Sequence, residues 1–93
     1  MLNQKEIIER LTIVFCEVFD DDLIHISSDT TPEDIEGWDL RENINLIEAI
    51  EKEFSMQFYM RELSAPKSVR ELIDIIVQRA GSRPQKTNNP LQR

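Results

Sequence analysis

The sequence predicts an all-α domain, a small up-and-down four-helix bundle. Three segments carry apolar residues at the three- and four-residue spacing of an amphipathic helix, and each follows a residue pair typical of a helix N-terminus. No stretch shows the apolar–polar alternation of a half-buried strand. Because each helix has an apolar face that must be covered, we expect the helices to pack against one another.

The first predicted helix runs from about residue 4 to residue 19. Asn3 and Glu6 are typical of a capping box, in which each side chain accepts a hydrogen bond from the other residue's backbone N–H. The apolar face consists of Ile7, Ile8, Leu11, Val14, Phe15, Val18 and Phe19. Cys16 lies opposite this face, so we expect a surface thiol. As the single cysteine, it cannot form an internal disulfide and has no partner for a metal site.

Residues 20–38 are predicted to form a long loop anchored by apolar side chains. The anchors are Leu23, Ile24, Ile26 and Ile35. Within the loop, Thr31 and Pro32 are typical of the start of a single helical turn. His25 has no Ser, Cys or second His at a catalytic spacing, so we expect a packed or partly exposed loop histidine. The run Asp20-Asp21-Asp22 lacks the Gly and the final Glu of a calcium-binding loop, and we expect no metal there.

The second predicted helix follows Gly37 and ends at Phe54, in the run GWDLRENINLIEAIEKEF. Asp39 and Glu42 predict another capping box at its start. One arc of this helix holds Leu40, Ile44, Leu46, Ile47, Ile50 and Phe54. Asn43 lies in the middle of that apolar arc, where we expect its amide to satisfy a backbone group of a loop.

The second half of the chain predicts one more full helix. Residues 55–58 indicate an extended connector, and residues 59–64 one or two helical turns. Ser68 and Glu71 predict a third capping box, at the start of a helix over residues 68–80. The apolar face of this helix consists of Val69, Leu72, Ile73, Ile76 and Ala80.

Gly81 is placed to end that helix, and the composition changes after it. Residues 81–93 contain two prolines, one large apolar residue and no helical period. Such a segment buries too little surface to offset the entropy of ordering. We therefore expect a helical bundle over residues 1–80 and a disordered basic tail over residues 81–93.

The bundle is strongly acidic. The chain has a formal charge of −7, but the first 80 residues hold all 18 acidic and only eight basic residues, a charge of −10. This surface repels phosphate backbones, so we expect no nucleic-acid binding, and it favours basic patches on partner proteins. No apolar run approaches the ~20 residues of a membrane span, and the first residues are unlike a signal peptide. We expect a cytoplasmic protein that does not enter a membrane.

The run from Gly37 to Phe54 resembles the second helix of an acyl carrier protein, a small helical domain that holds acyl chains on a 4'-phosphopantetheine arm. The similarity extends over roughly residues 3–80, and includes the length of the first loop, the Thr-Thr-Pro segment and the SVRELIDII ending. In that family the arm is attached to a serine in the sequence Asp-Ser-Leu. Here the corresponding residues are Asp39, Leu40 and Arg41. The spacing from Asp39 to Phe54 already matches the family, so the serine is replaced by Leu40 and not deleted.

Attachment of the arm requires a hydroxyl oxygen, and a leucine side chain has no nucleophile. We therefore expect no cofactor and no catalytic residue. What the resemblance still implies is a docking surface for acyl-synthesis or acyl-transfer enzymes that have basic patches. We expect the chain itself to be a monomer. The candidate residues of the docking surface are Asp39, Leu40, Glu42, Ile44, Glu48 and Glu51. Leu40 either inserts into a partner's pocket or folds onto its own bundle.

Three functions remain open from the sequence. The first is a relative of acyl carrier proteins that lost the attachment site and acts by protein–protein contact in fatty-acid or polyketide-type synthesis. The second is a genuine carrier whose serine was substituted in this variant. The third is a small structural or inhibitory protein that kept only the fold.

Overall fold

The computed structural model describes residues 3–80. Three α-helices follow one another along the chain, α1 (Gln4–Val18), α2 (Leu40–Phe54) and α3 (Val69–Arg79). Two single 3₁₀ turns lie between them, the first at Pro32–Asp34 and the second at Met60–Glu62. Over residues 3–80 there is no strand, and the predicted all-α bundle is confirmed. The short helix predicted over residues 59–64 is the single 3₁₀ turn at Met60–Glu62. The predicted stop at Gly81 and the predicted tail lie outside the described residues.

The two later capping boxes differ from the prediction. At α1, the Asn3 side chain accepts from the Glu6 N–H at 2.8 Å and the Glu6 carboxylate accepts from the Asn3 N–H at 3.1 Å, as predicted. At α2, Asp39 accepts from the Glu42 N–H at 2.8 Å, but the Glu42 carboxylate accepts from the Asn45 amide at 3.2 Å. Only half of the second box therefore forms.

The third capping box, predicted at Ser68, is absent. Ser68 makes no side-chain capping bond, although it is the N-cap residue of α3. The carbonyls of Thr30 and Ser28 instead accept from the Val69 N–H at 2.8 Å and the Arg70 N–H at 2.9 Å. Carbonyl groups of the long loop thus accept the hydrogen bonds of the free N–H groups in the first turn of α3. The residues of α3 alone could not predict this role.

The hydrophobic core lies between the three helices, and the long loop covers it. α1 and α2 make the most extensive helix–helix contact, and α3 packs on α1. From the loop, Ile24, Ile26, Ile35 and Trp38 are buried, whereas Leu23 is exposed and is not the anchor that was expected. Trp38 packs edge-on against Phe15, with ring centroids 5.1 Å apart.

Cys16 is not the surface thiol that its helical phase predicts. It is half-buried, with its Sγ 3.7 Å from the backbone oxygen of Ile24. The reason is that the loop after α1 folds back over this side of the helix. His25, next to Ile24, is exposed, within the range expected for a loop histidine.

Asn43 joins three parts of the fold. It is fully buried, its Oδ1 accepts from the Trp38 indole N–H at 2.8 Å, and its Nδ2 donates to the Leu63 carbonyl at 2.9 Å. The expectation that its amide satisfies a loop backbone group is confirmed. Each bond removes an otherwise unsatisfied polar group from the interior.

Arg79, in the last turn of α3, holds the segment around the second 3₁₀ turn. Its guanidinium makes two 2.6 Å hydrogen bonds to the Glu62 carboxylate and one of 3.2 Å to the Gln57 carbonyl. It also stacks on the Tyr59 ring, 3.8 Å from the centroid. The Arg79 and Glu62 side chains are only 18% and 16% exposed. The hydrogen bonds from Arg79 are the main reason that the pKa of Glu62 lies below its usual value, although burial opposes this shift.

We predict that Asn43→Ala lowers the free energy of unfolding by about 2–4 kcal/mol, because it leaves the Trp38 N–H and the Leu63 carbonyl without partners. Asn45→Ala is the matched control, since Asn45 is exposed on the same helix. We expect the control to change stability by less than about 0.5 kcal/mol. Urea unfolding followed by circular dichroism measures both, and equal stabilities for the two variants would contradict the role of Asn43.

We predict that the stabilisation from Glu62 depends on pH. Its pKa in the folded protein is lowered from 4.5, so its stabilising effect is complete above that value and is lost as the pH falls through the lowered pKa. At pH 7, Glu62→Gln should therefore lower the free energy of unfolding by about 1–2 kcal/mol. The difference from the wild type should shrink as the pH falls from 5 to 3.

Denaturant unfolding at several pH values measures this difference. Glu53→Gln is the control, because the Glu53–Arg10 pair is more exposed, at 40% and 37%. We expect Glu53→Gln to lower the free energy of unfolding by less than about 1 kcal/mol at pH 7. A Glu62→Gln difference that stays constant from pH 7 to pH 3 would contradict the assignment.

Candidate docking surface

The residues on the two sides of the Asp39 cap, at the start of α2, differ in exposure. Gly37 has a φ of 90°, a conformation that other residues rarely adopt, and Trp38 after it is buried. Asp39 then caps the helix, and Leu40 is its first residue, 67% exposed. Of the two orientations open for Leu40, folding onto its own bundle is therefore wrong.

Leu40 begins an exposed stripe along α2. Ile44 lies one turn further on and is 44% exposed, and Glu48 lies another turn on and is also exposed. Glu51 is on the same side of the helix and is half-buried. We call Leu40, Ile44, Glu48 and Glu51 the exposed stripe.

Glu42 does not share this stripe. At 100° per residue it lies roughly 160° around the helix axis from Leu40, and its carboxylate is bonded to Asn45. Asp39 lies at the helix end, next to Leu40, with one carboxylate oxygen bonded to the Glu42 N–H. The structure therefore brings four of the six candidate residues to one side of α2, places Asp39 at the helix end beside Leu40, and separates Glu42 from them.

An open groove of about 270 Å³ runs between α2 and the segment around the second 3₁₀ turn. The α2 side consists of Ile44, Ile47, Glu48 and Glu51, and the opposite side consists of Phe58, Met60 and Leu63. Met60 is 86% exposed and thus extends the apolar surface beyond α2. No sequence pattern predicts this role of Met60, because one helical turn over residues 59–64 does not indicate which side chains face solvent.

The two acidic residues of the groove differ in their contacts. The Glu51 carboxylate accepts from the Phe58 N–H at 2.9 Å, which ties α2 to the opposite side of the groove. Glu48 has no ion pair or side-chain hydrogen bond within residues 3–80. Its charge is therefore available to a partner.

The described residues offer no cluster of side chains for metal binding. No group of three or more His, Cys, Asp or Glu side chains within residues 3–80 is arranged to hold a metal ion. None of the helices in this part of the chain is both long enough and apolar enough to span a membrane. What the surface of α2 can offer a ligand is apolar contact beside negative charge.

The start of α2 offers no hydroxyl to which a 4'-phosphopantetheine arm could be attached. Leu40 stands where the resemblance places the serine, and residues 37–54 contain no Ser, Thr or Tyr. No hydroxyl in this segment can therefore form a phosphodiester with 4'-phosphopantetheine.

Comparison with known proteins agrees with the architecture. No protein-family model matches the sequence, and no curated protein matches it. Among solved structures, the chain is similar to holo acyl carrier protein from Geobacter metallireducens, determined by solution NMR. The two are 30% identical, with a TM-score of 0.73, and the match covers 88% of this chain and 94% of the other. With this identity, coverage and shared all-helical fold, the chain belongs to the acyl carrier protein family, whose members are carrier domains and not catalytic enzymes.

Proposed function

We propose that this chain is a docking domain of acyl biosynthesis, of the fatty-acid or polyketide type, that lacks the phosphopantetheine arm and acts by protein–protein contact. The observation that carries the proposal is the position and exposure of Leu40. It is exposed at the first position of α2, directly after the Asp39 cap, and offers a methyl group where the arm would need an oxygen. The chain would compete with a true carrier at its enzymes, or regulate them.

The chemistry of the surface defines the partner. Leu40, Ile44 and Met60 are exposed apolar side chains, and Asp39 and Glu48 add negative charge beside them. A complementary site is an apolar pocket flanked by Lys or Arg, on an acyl-synthesis or acyl-transfer enzyme. Burial of the apolar side chains would supply affinity, and the charges would set orientation and the rate of encounter. The chain would act as a monomer.

A genuine carrier that lost its serine by substitution has the same geometry at the start of α2. Restoring the hydroxyl should restore the modification in either case, provided that the docking surface for the transferase survives. The same substitution therefore tests both the missing attachment site and the survival of the docking surface.

We predict that the wild type gains no mass when incubated with coenzyme A and a broad-specificity phosphopantetheinyl transferase. Leu40→Ser should gain the mass of one 4'-phosphopantetheine, with Arg41→Leu added if the single variant reacts slowly. Leu40→Ala is the matched control, since it removes the leucine without supplying a hydroxyl. Intact-protein mass spectrometry measures all three. A mass gain by the wild type would contradict the proposal.

We predict that the wild type inhibits the same transferase when a competent acyl carrier protein is the substrate. Glu48→Lys should weaken this inhibition about tenfold or more, because it places a positive charge against a basic patch. Glu17→Lys is the control, an equal charge reversal at an exposed position on α1. It should change the inhibition constant by less than about threefold. Absence of inhibition by excess wild type would contradict docking and favour a protein that kept only the fold.

A further inference from the structure

The side of the groove opposite α2 is a short segment with little support of its own. We call residues 57–63 the groove wall; it contains the second 3₁₀ turn, Met60–Glu62. No residue of that turn is buried. A three-residue turn also has too few internal hydrogen bonds to be stable alone. Its position must therefore be set by contacts with the rest of the bundle.

The ends of the groove wall are attached to α2. The Phe58 N–H donates to the Glu51 carboxylate at 2.9 Å, and the Leu63 carbonyl accepts from the Asn43 amide at 2.9 Å. Phe58 is buried, and Leu63 packs at the edge of the core. These contacts fix where the groove wall begins and ends, but not the exposed turn between them.

The middle of the groove wall is attached to α3, and the contacts converge on Arg79. Its guanidinium binds both oxygens of Glu62, binds the Gln57 carbonyl and covers the face of Tyr59. A bidentate guanidinium–carboxylate pair fixes direction as well as distance. Glu62 in turn accepts from the Tyr59 N–H at 2.7 Å, which closes the turn on itself.

The Arg79–Glu62 pair differs from the other ion pairs of residues 3–80. The Arg70–Asp29 pair is 58% and 87% exposed, with a nitrogen–oxygen distance of 3.2 Å. Exposed pairs of this kind contribute little, because water screens them. Arg79 and Glu62 are mostly shielded from water, and their hydrogen bonds are short.

We propose that Arg79 is a positioning residue, which holds the groove wall in place and so keeps Met60 beside Ile44 on the docking surface. The part of this inference that concerns docking rests on the function proposed above. Arg79 need not touch the partner, since it acts through Glu62, Gln57 and Tyr59. Its removal should release the groove wall and leave the rest of the bundle folded.

The first test uses the free protein and needs no partner. Amide hydrogen exchange by NMR should become about tenfold faster or more in Arg79→Met at Tyr59, Glu62 and Leu63, with α1 and α2 changed less than about threefold. Arg70→Met is the matched control on α3 and should leave these amides within about twofold. Arg79→Lys retains the positive charge but cannot make the two parallel hydrogen bonds of the guanidinium, so its exchange rates should be intermediate. Unchanged exchange in the groove wall, or an equal increase over the whole bundle, would overturn the positioning role.

The second test measures docking, with the phosphopantetheinyl transferase as the probe and Leu40→Ser as the substrate. Adding Arg79→Met should raise KM about threefold to tenfold and leave kcat unchanged, whereas adding Arg70→Met should change neither. An unchanged KM with accelerated exchange would overturn the link between the groove wall and docking. If Leu40→Ser is not modified even with Arg41→Leu added, the proposed function is contradicted, and hydrogen exchange still decides the positioning role of Arg79.

Discussion

The buried amide of Asn43 is the constraint on which the rest of the surface depends. It lies one turn into α2, in a position that the helical period assigns to the core. Its bond to the Trp38 indole fixes the end of the long loop to α2. Its bond to the Leu63 carbonyl fixes the end of the groove wall to the same helix. Since Asn43 and Trp38 are buried and the bond to Leu63 is partly buried, loss of either bond would leave a shielded polar group unsatisfied. The start of α2 is thereby fixed in relation to both of its neighbours.

Local patterns predicted the fold well because the helices depend on contacts within a few residues. The Asn3–Glu6 box and the apolar period of α1 involve residues three or four apart, and they placed that helix within one residue. The sequence predictions were wrong where a distant segment of the chain supplied the hydrogen-bonding or packing partner. The first turn of α3 is capped by the Ser28 and Thr30 carbonyls, about forty residues earlier, and Cys16 is covered by the loop that follows α1.

The same distinction limits how much of the site could be predicted. The residues of the exposed stripe were candidates because of the resemblance to acyl carrier proteins, and the helical period explains why they share one side of α2. Sequence reasoning did not decide the exposure of Leu40, because a residue at the edge of the apolar arc fits either orientation, and the structure shows this side chain to be exposed. Nor could it find Met60 or the Arg79–Glu62 pair, because a residue separation of seventeen has no periodic signature.

The Leu40 side chain contributes differently to the free protein and to a complex with a partner. In the free protein it is 67% exposed, so it adds little to the core and its identity is not explained by stability. Complete burial of a leucine is worth about 1.5–3 kcal/mol, so covering the exposed part in a partner's pocket would account for roughly a tenfold gain in affinity. A serine at the same position would bury far less apolar surface and would gain its importance only through the arm. Under the proposed function, an isobutyl side chain in place of a hydroxymethyl side chain would exchange a covalent function for a contact function at one position, beside the Asp39 cap and the buried Trp38.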